Sequence, residues 1–470
     1  MKTVTAILIG AGQRGAEAYA PYALTHPDEV RFVAVAEPNP QRRAAFAAAH
    51  HIPAEHQFES WEPLLALPQF ADAALVATQD WQHVEPAVAA LKAGYHVLLE
   101  KPMATNMADC NRLVQASQES GRQLHICHVL RYTGHIRLLR ELVQSGVIGD
   151  VVDVDHRENV SFWHMAHSYV RGNWRRSEQS SPMILAKCCH DLDMLPWVLG
   201  SRPVTLASSG SLMHYKSENA PAGAPLRCTD GCPVAETCPY NAQHIYESLI
   251  PFWYSYSETC VRPAERFLVR QWIKNPGLVR AVKWFYPPLR MVTDYNRWPL
   301  TVLTATPTPE KIHQALLDGP YGRCVYHCDN DVVDHQVVQM YFDNQATVTL
   351  TMHGHSHVEH RSTRIEGTRG RIQGVLGNGG AWLTVEDHRS RSKKFYDTSP
   401  RPGEGHGGGD PQLMKNFIAS VVRGGNPPEV LQGARDALAS HALAFAAEEA
   451  RLNEKTIQVA EWMNSNAHSQ

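Results

Sequence analysis

The sequence predicts an α/β chain in which a doubly wound parallel sheet is followed by a half built on antiparallel strands. Two observations carry this. Short apolar runs at 5–9, 30–36, 73–77, 95–99 and 123–128 alternate with helical segments, the pattern of successive βαβ units. From Gly149 on, strands of period two take over at 151–155, 332–339 and 346–352, and antiparallel pairing lets such strands leave one sheet face solvated.

The elements follow in order. The run at 5–9 leads into Gly10-Ala11-Gly12-Gln13-Arg14-Gly15 and an Ala-rich helix. This is G-x-G-x-x-G in its required context: the glycines allow a tight turn and close backbone approach, and the helix start offers unpaired N–H groups to a pyrophosphate. The second strand ends in Glu37, 22 residues after Gly15, the spacing of an acidic residue on the adenosine ribose 2′-hydroxyl. Its charge would repel a 2′-phosphate and favours NAD over NADP, with Arg42 and Arg43 close enough in sequence to oppose that preference.

The third strand ends in Thr78-Gln79-Asp80-Trp81-Gln82-His83, and a helix over 84–93 stops at Gly94. The fourth strand closes in Glu100-Lys101-Pro102. Ligands of such sheets bind beyond the carboxyl ends of the strands, so Lys101 is placed to enter a site, and it is the first catalytic candidate. A helix over 107–120 and a strand ending in Cys127-His128 complete the alternation.

Composition narrows the class. With 470 residues the chain is long enough for two or three domains. A balance of 44 Lys+Arg against 47 Asp+Glu argues against nucleic acid or an anionic membrane as partner. The first residues run straight into a strand, and no apolar run approaches the ~18 residues of a membrane span, which reads as a cytoplasmic protein. Ten Cys in such a compartment are metal ligands, reactive thiols or core filler rather than disulfides.

Taken together, Gly10/Gly12/Gly15, Glu37, His83 and Glu100-Lys101-Pro102 resemble the Gfo/Idh/MocA oxidoreductases, the glucose-fructose oxidoreductase and inositol dehydrogenase group. The resemblance implies an N-terminal Rossmann domain and a C-terminal α+β domain with a large, mostly antiparallel sheet, here divided as 1–130 and 131–470. It implies hydride transfer between a nicotinamide cofactor and a sugar or polyol, and association through the open face of the second sheet as a homo-oligomer. It makes Lys101 the active-site lysine and puts Arg131-Tyr132 where the chain enters the second domain, as substrate contacts. The cofactor set is then Gly10, Gly12, Gln13, Arg14, Gly15, Glu37, Thr78, His83, Glu100 and Lys101.

The run Lys187-Cys188-Cys189-His190-Asp191-Leu192-Asp193 matches the family's helix beside the nicotinamide, with His190 as the proton acceptor. Many members carry Asp four residues earlier. Here that position is Ala186, and Lys187 beside it would hold His190 neutral by like-charge repulsion or pair with Asp191 at helical spacing. His164, His167, Arg171, Trp174, Asp191 and His406 are candidate substrate contacts, since sugars offer apolar ring faces and many hydroxyls.

Residues 214–320 form an insertion rich in Pro, Trp, Tyr and Phe that could cover a cleft or a subunit interface. Within it, Cys228, Cys232 and Cys238 have the look of a structural zinc knuckle without a clean C-x-x-C pair. The fourth ligand is open among Cys260, Cys324, Cys328 and nearby His, and unliganded thiols are the alternative. Asp410 reads as the N-cap of a late helix over 411–423, and a helix over 431–453 precedes a polar tail.

Three functions fit this frame. The first is NAD-dependent oxidation or reduction of a sugar, polyol or glycoside at a secondary alcohol. Another keeps the site but is redox-neutral: a glycosidase that transiently oxidises C3, eliminates, adds water and reduces again. The last is a non-catalytic NAD-sensing protein.

Overall fold

The computed structural model describes residues 2–401, 406–424 and 428–466. The chain forms two compact units, one of residues 1–137, 184–197 and 401–470, the other of 138–183 and 198–400. A single division at 130/131 therefore does not describe the packing. The C-terminal helices belong with the first sheet because their apolar faces cover its two sides, and the segment around His190 is tied to the same unit by Lys101 to the Ala186 carbonyl and Arg131 to Asp193.

In the first unit the sheet is wholly parallel, in the order β3-β2-β1-β4-β5-β6. The strands are β1 (Val4–Ile9), β2 (Val30–Ala36), β3 (Gln57–Phe58), β4 (Ala73–Val76), β5 (His96–Leu99) and β6 (Leu124–Ile126). Ile7, Ile9, Val76, Val97 and Leu99 face one side, against Val84, Leu91 and Leu113 of the helices Val84–Lys92 and Met107–Ser120. Leu8, Val35, Leu75 and Leu98 face the other, where Leu413, Met414, Phe417 and Ile418 of the helix Gly409–Arg423 cover them. Being apolar on both faces is what makes these strands continuous hydrophobic runs.

Register places the site. Ile9 pairs with Ala36 and Val76, Val76 with Leu99, and Leu99 with Ile126. The strands thus finish in one row, and the residues that follow them, Gly10, Glu37, Ala77-Thr78, Glu100-Lys101 and Cys127-His128, share one edge of the sheet.

The second unit is a mostly antiparallel sheet whose strands run β14-β13-β12-β11-β7-β10-β9-β8, with β7 and β10 parallel. They are β7 (Val151–Ser161), β8 (Pro203–Ser211), β9 (His335–Phe342), β10 (Thr347–Ser356), β11 (His360–Gly367), β12 (Gly370–Gly377), β13 (Gly380–Asp387) and β14 (Lys393–Asp397). The aromatic insertion joins β8 to β9, two antiparallel neighbours, and folds as short helices including Ile250–Thr259, Pro263–Lys274 and Pro309–Asp318. A hairpin through Asp343-Asn344 joins β9 and β10. Of the polar tail over 464–470, the first three residues close the helix Val459–Asn466, and 467–470 lie outside the described residues.

Candidate active site

The glycine loop is shaped by two close approaches. Gly10 has φ +94°, and a Cβ there would lie 2.5 Å from the Ala77 carbonyl oxygen; one on Gly15 would lie 2.3 Å from the Gly10 carbonyl oxygen. Gly12 differs. Its backbone is extended (φ −79°) and a Cβ would meet no atom of the described residues within 4 Å, so neither conformation nor packing among them requires glycine. A ligand drawn close to the backbone does require it.

Glu37 closes the loop. Its buried carboxylate accepts from Ala11 N–H at 2.7 Å through Oε2 and from Asn39 N–H at 3.0 Å through Oε1. Each oxygen retains a lone pair for a ribose hydroxyl, and a carboxylate fixed there excludes a phosphate. Arg43 is turned to the Glu37 backbone carbonyl and to Glu59. Thr78 Oγ1, at the end of β4, is buried with no hydrogen-bond partner among the described residues, a hydroxyl available to a bound group. These features fit a dinucleotide with an unphosphorylated ribose.

Beyond β5, the Lys101-Pro102 bond is cis. Glu100 is buried and fully engaged: Oε1 accepts from Arg14 Nε at 2.6 Å and Tyr19 Oη at 2.6 Å, and Oε2 from Lys101 N–H at 2.6 Å. Burial opposes its ionisation, but Arg14 and Lys101 outweigh that and hold it below the usual carboxylate range. Arg14 also pairs with Asp410 Oδ1 at 3.0 Å, and His406 Nδ1 stands 2.9 Å from Arg14 Nη1 and 3.0 Å from Asp410 Oδ2. Glycine-loop position 14 is thus spent on a buried ion cluster. Asp410, expected as an N-cap, is inside the helix, and Gly408 holds the cap position, because the carboxylate is drawn to Arg14 and His406. His83 is 1% exposed and anchored at Nδ1, 2.6 Å from the Pro102 carbonyl oxygen.

Lys101 Nζ donates to the Ala186 carbonyl oxygen at 3.0 Å. That ties it to the helix Met183–Leu199, which carries Lys187, His190, Asp191 and Asp193. His190 is 8% exposed, and its ring meets that of His128 edge-on at 5.8 Å. Behind it lies a buried group that sequence reasoning missed. Arg131 makes a bidentate pair with Asp193 at 2.6 and 2.7 Å, and His128 Nε2 is 3.8 Å from Asp193. His441 Nε2 accepts from Met103 N–H at 2.8 Å. Burial, with Arg131 and Lys101 adding repulsion, lowers the His128 pKa to about 3; burial and His128 bring His441 to about 3. The signal for His128 was its place after the fifth strand. His441, 338 residues from Met103, gave none.

Arg131 was expected to touch substrate; here its guanidinium is held by Asp193, over the Trp197 ring. Tyr132 packs against the core under the Gly409–Arg423 helix. Asp191 is fully buried.

In the second unit, His164 follows β7 and its Nδ1 lies 2.9 Å from Glu359 Oε1. Trp174 is half-buried beside Tyr169. His167 and Arg171, expected as substrate contacts, are 2% and 1% exposed. His167 Nδ1 lies 2.9 Å from Tyr246 Oη and its ring stacks on Tyr321, while Arg171 donates to the carbonyls of Arg323 and Tyr240, both at 2.7 Å. They hold the insertion onto the sheet domain. Cys228, Cys232 and Cys238 line one small cavity with Cys324 and Arg171. Among the described residues, however, no group of three or more His, Cys, Asp or Glu side chains is placed to hold a metal ion.

Two family models match the chain: the NAD-binding Rossmann fold of the GFO/IDH/MocA oxidoreductase family over residues 4–128, and the C-terminal alpha/beta domain of that family over 140–261. A 1,5-anhydro-D-fructose reductase of Ensifer adhaerens is 33% identical over 167 residues, 35% of this chain and 47% of the reductase. A 2,7-anhydro-N-acetylneuraminate hydratase of Escherichia coli is 30% identical over 151 residues, 32% of this chain and 40% of the hydratase. The chain spans about half the length of the curated relatives it matches. The crystal structure of an aldose-aldose oxidoreductase from Caulobacter crescentus shares the fold, with TM-score 0.62 at 15% identity, covering 97% of this chain and 99% of that one.

Proposed function

Because the chain belongs to the Gfo/Idh/MocA oxidoreductase family, we propose that it is an NAD-dependent enzyme transferring hydride at a secondary alcohol of a sugar, polyol or glycoside. One observation carries this reading. The sheet edge that presents Gly10, Glu37 and Thr78 also presents Lys101, whose ammonium is tied to the helix bearing His190. A bound nicotinamide dinucleotide supplies the hydride acceptor or donor. Gly10, Gly12, Gly15, Glu37 and Thr78 would hold it, with Gln13 at the loop. Arg14, Glu100 and His83 act beneath, by fixing the loop and the strand end.

In the oxidative direction, Lys101 donates a hydrogen bond to the substrate oxygen and stabilises its developing negative charge. His190 takes the hydroxyl proton, and Lys187, three residues earlier on the helix, tunes its basicity by like-charge repulsion. Arg131, with Asp193 and neutral His128, sets the wall behind His190. His164 and Trp174 are retained as sugar contacts of the second unit, and His406 as a candidate beside the Arg14 cluster; buried His167 and Arg171 are not. No arrangement of the described side chains supports the zinc reading. All ten cysteines are free thiols, which supports a reducing, cytoplasmic setting. Along β9 buried residues alternate with more exposed ones, which supports the second sheet as the surface for a partner copy.

A redox-neutral reaction on the same residues is the second reading, favoured by the likeness to an anhydro-sugar hydratase. One experiment separates the two. Purified protein with NAD is offered sugars, polyols and glycosides while NADH and carbon products are both followed. NADH forming in proportion to substrate supports the dehydrogenase; cleaved or hydrated product without net NADH supports the second reading. Bound NAD with neither product would leave the sensing role.

A further inference from the structure

Between residues 262 and 297 the chain carries eight Lys and Arg against two acidic residues, a local charge of +6 in a protein whose total is −3. Arg262, Arg270 and Lys283 are paired with Glu265, Glu258 and Asp294, so the basic excess that the total hides rests on the remaining cations. The segment folds as the helices Pro263–Lys274, Pro276–Val282 and Arg290–Thr293. Its inner face is fastened by Val269, Val279, Leu289 and Val292, all below 5% exposure. Elsewhere in the segment, Phe267 is 60%, Leu278 63%, Trp284 72% and Phe285 89% exposed. Lys283 and Arg290 lie over the Trp284 ring at 5.7 and 5.4 Å, so the exposed indole is flanked by two cations.

Soluble proteins rarely expose four large apolar side chains within about 20 residues of chain, and such exposure marks a docking site. A second copy is a poor occupant, because an isologous contact would set +6 against itself. Basic helices carrying outward Trp, Phe and Leu match the interface of a lipid bilayer, where aromatic and aliphatic groups enter the headgroup boundary and cations meet lipid phosphates.

We propose that residues 262–297 dock the protein on the surface of an anionic lipid bilayer, with Phe267, Leu278, Trp284 and Phe285 as the inserted groups. Lys274, Arg280 and Arg290 supply the electrostatic attraction. No helix among the described residues is long and apolar enough to cross a membrane, so the segment lies on the bilayer rather than through it. Docking is independent of the proposed chemistry, which uses none of these residues.

The test is co-sedimentation of the full chain with vesicles of phosphatidylcholine alone or with about one third phosphatidylglycerol. We expect binding to anionic vesicles about ten-fold or more above neutral ones, a blue shift of tryptophan emission, and release at about 1 M salt as screening shortens. Replacing Trp284 and Phe285 together by Ser, or Arg280 and Arg290 together by Glu, should lower binding about ten-fold. Circular dichroism and thermal midpoint should stay unchanged, since all four side chains are exposed. Lys101→Ala should bind vesicles like the parent. Failure to bind, equal binding to both vesicles, or full binding by both double variants would overturn the proposal. So would finding that the variants abolish self-association or duplex DNA binding instead.

Discussion

The ammonium of Lys101 donates to the backbone carbonyl of Ala186 at 3.0 Å, one helical turn before His190. Where many relatives are expected to carry an aspartate, this chain meets the lysine with a main-chain oxygen. A carbonyl orients the ammonium without bringing a counter-charge, which suits the role toward a substrate oxygen proposed for Lys101.

Lys101→Met should lower kcat by about 10²- to 10⁴-fold while leaving NAD affinity within about three-fold, the signature of a lost group that stabilises charge in the transition state. Steady-state kinetics with the best substrate and a fluorescence titration with NADH check both. Equal losses in the two would assign Lys101 to cofactor binding.

The loop glycines separate fold from ligand. Gly15→Ala should cost about 1–3 kcal/mol of stability, because its Cβ would strike the Gly10 carbonyl oxygen. Gly12→Ala should leave urea unfolding unchanged and weaken NAD about ten-fold or more, since no described residue limits that position and the proposed cofactor would. Unfolding of the Gly12 variant would refute the assignment.

Glu37→Ala removes a fixed negative charge and two backbone hydrogen bonds. The ratio of kcat/KM with NAD to that with NADP should fall about ten-fold, with about 1–2 kcal/mol lost in stability. An unchanged ratio would mean that cofactor choice is made elsewhere.

Arg14→Met would leave Glu100 and Asp410 buried without their shared cation, a loss of about 3–5 kcal/mol. Both carboxylates are held below their ordinary values in spite of burial, by Arg14 and Lys101 at Glu100 and by His406 and Arg14 at Asp410. Folding therefore gains from their ionised forms above about pH 4 and loses that gain as pH falls through the lowered values. The Arg14 variant should show a weaker acid dependence below pH ~4, read by urea midpoints across pH.

His128 and His441 should make the first unit acid-labile well above the carboxylate range. Their folded pKa of about 3 lies below the unfolded ~6.5, so the unfolded chain binds more protons between these values and stability falls as pH drops through that window. The slope is up to ~1.4 kcal/mol per pH unit for each histidine. His128→Asn should flatten the decline between pH 6 and 4, and an unchanged slope would count against a buried neutral imidazole.

Much of the site was legible because local rules govern strand ends. The helix Met107–Ser120 has the bounds its pattern implied, and Gly10, Glu37, Thr78 and Lys101 follow strands whose ends parallel pairing brings into one row. Arg14, Arg131, His167 and Arg171 misled for a common reason. Sequence shows that a cation or imidazole is available, but not which carbonyl or carboxylate will bury it.

By itself the sequence determined the dinucleotide sheet, the identity of the loop glycines and Glu37, and the candidacy of Lys101, all set by periodicity and short-range spacing, while the candidacy of His190 came from the family resemblance. Only the tertiary structure decided that Ala186 meets Lys101 through its carbonyl, that Asp193 and His128 stand behind His190, and that His441 reaches Met103 across 338 residues. The physical reason is burial: a polar group taken from water must find a partner wherever the fold supplies one, and that partner's position in the chain is unconstrained.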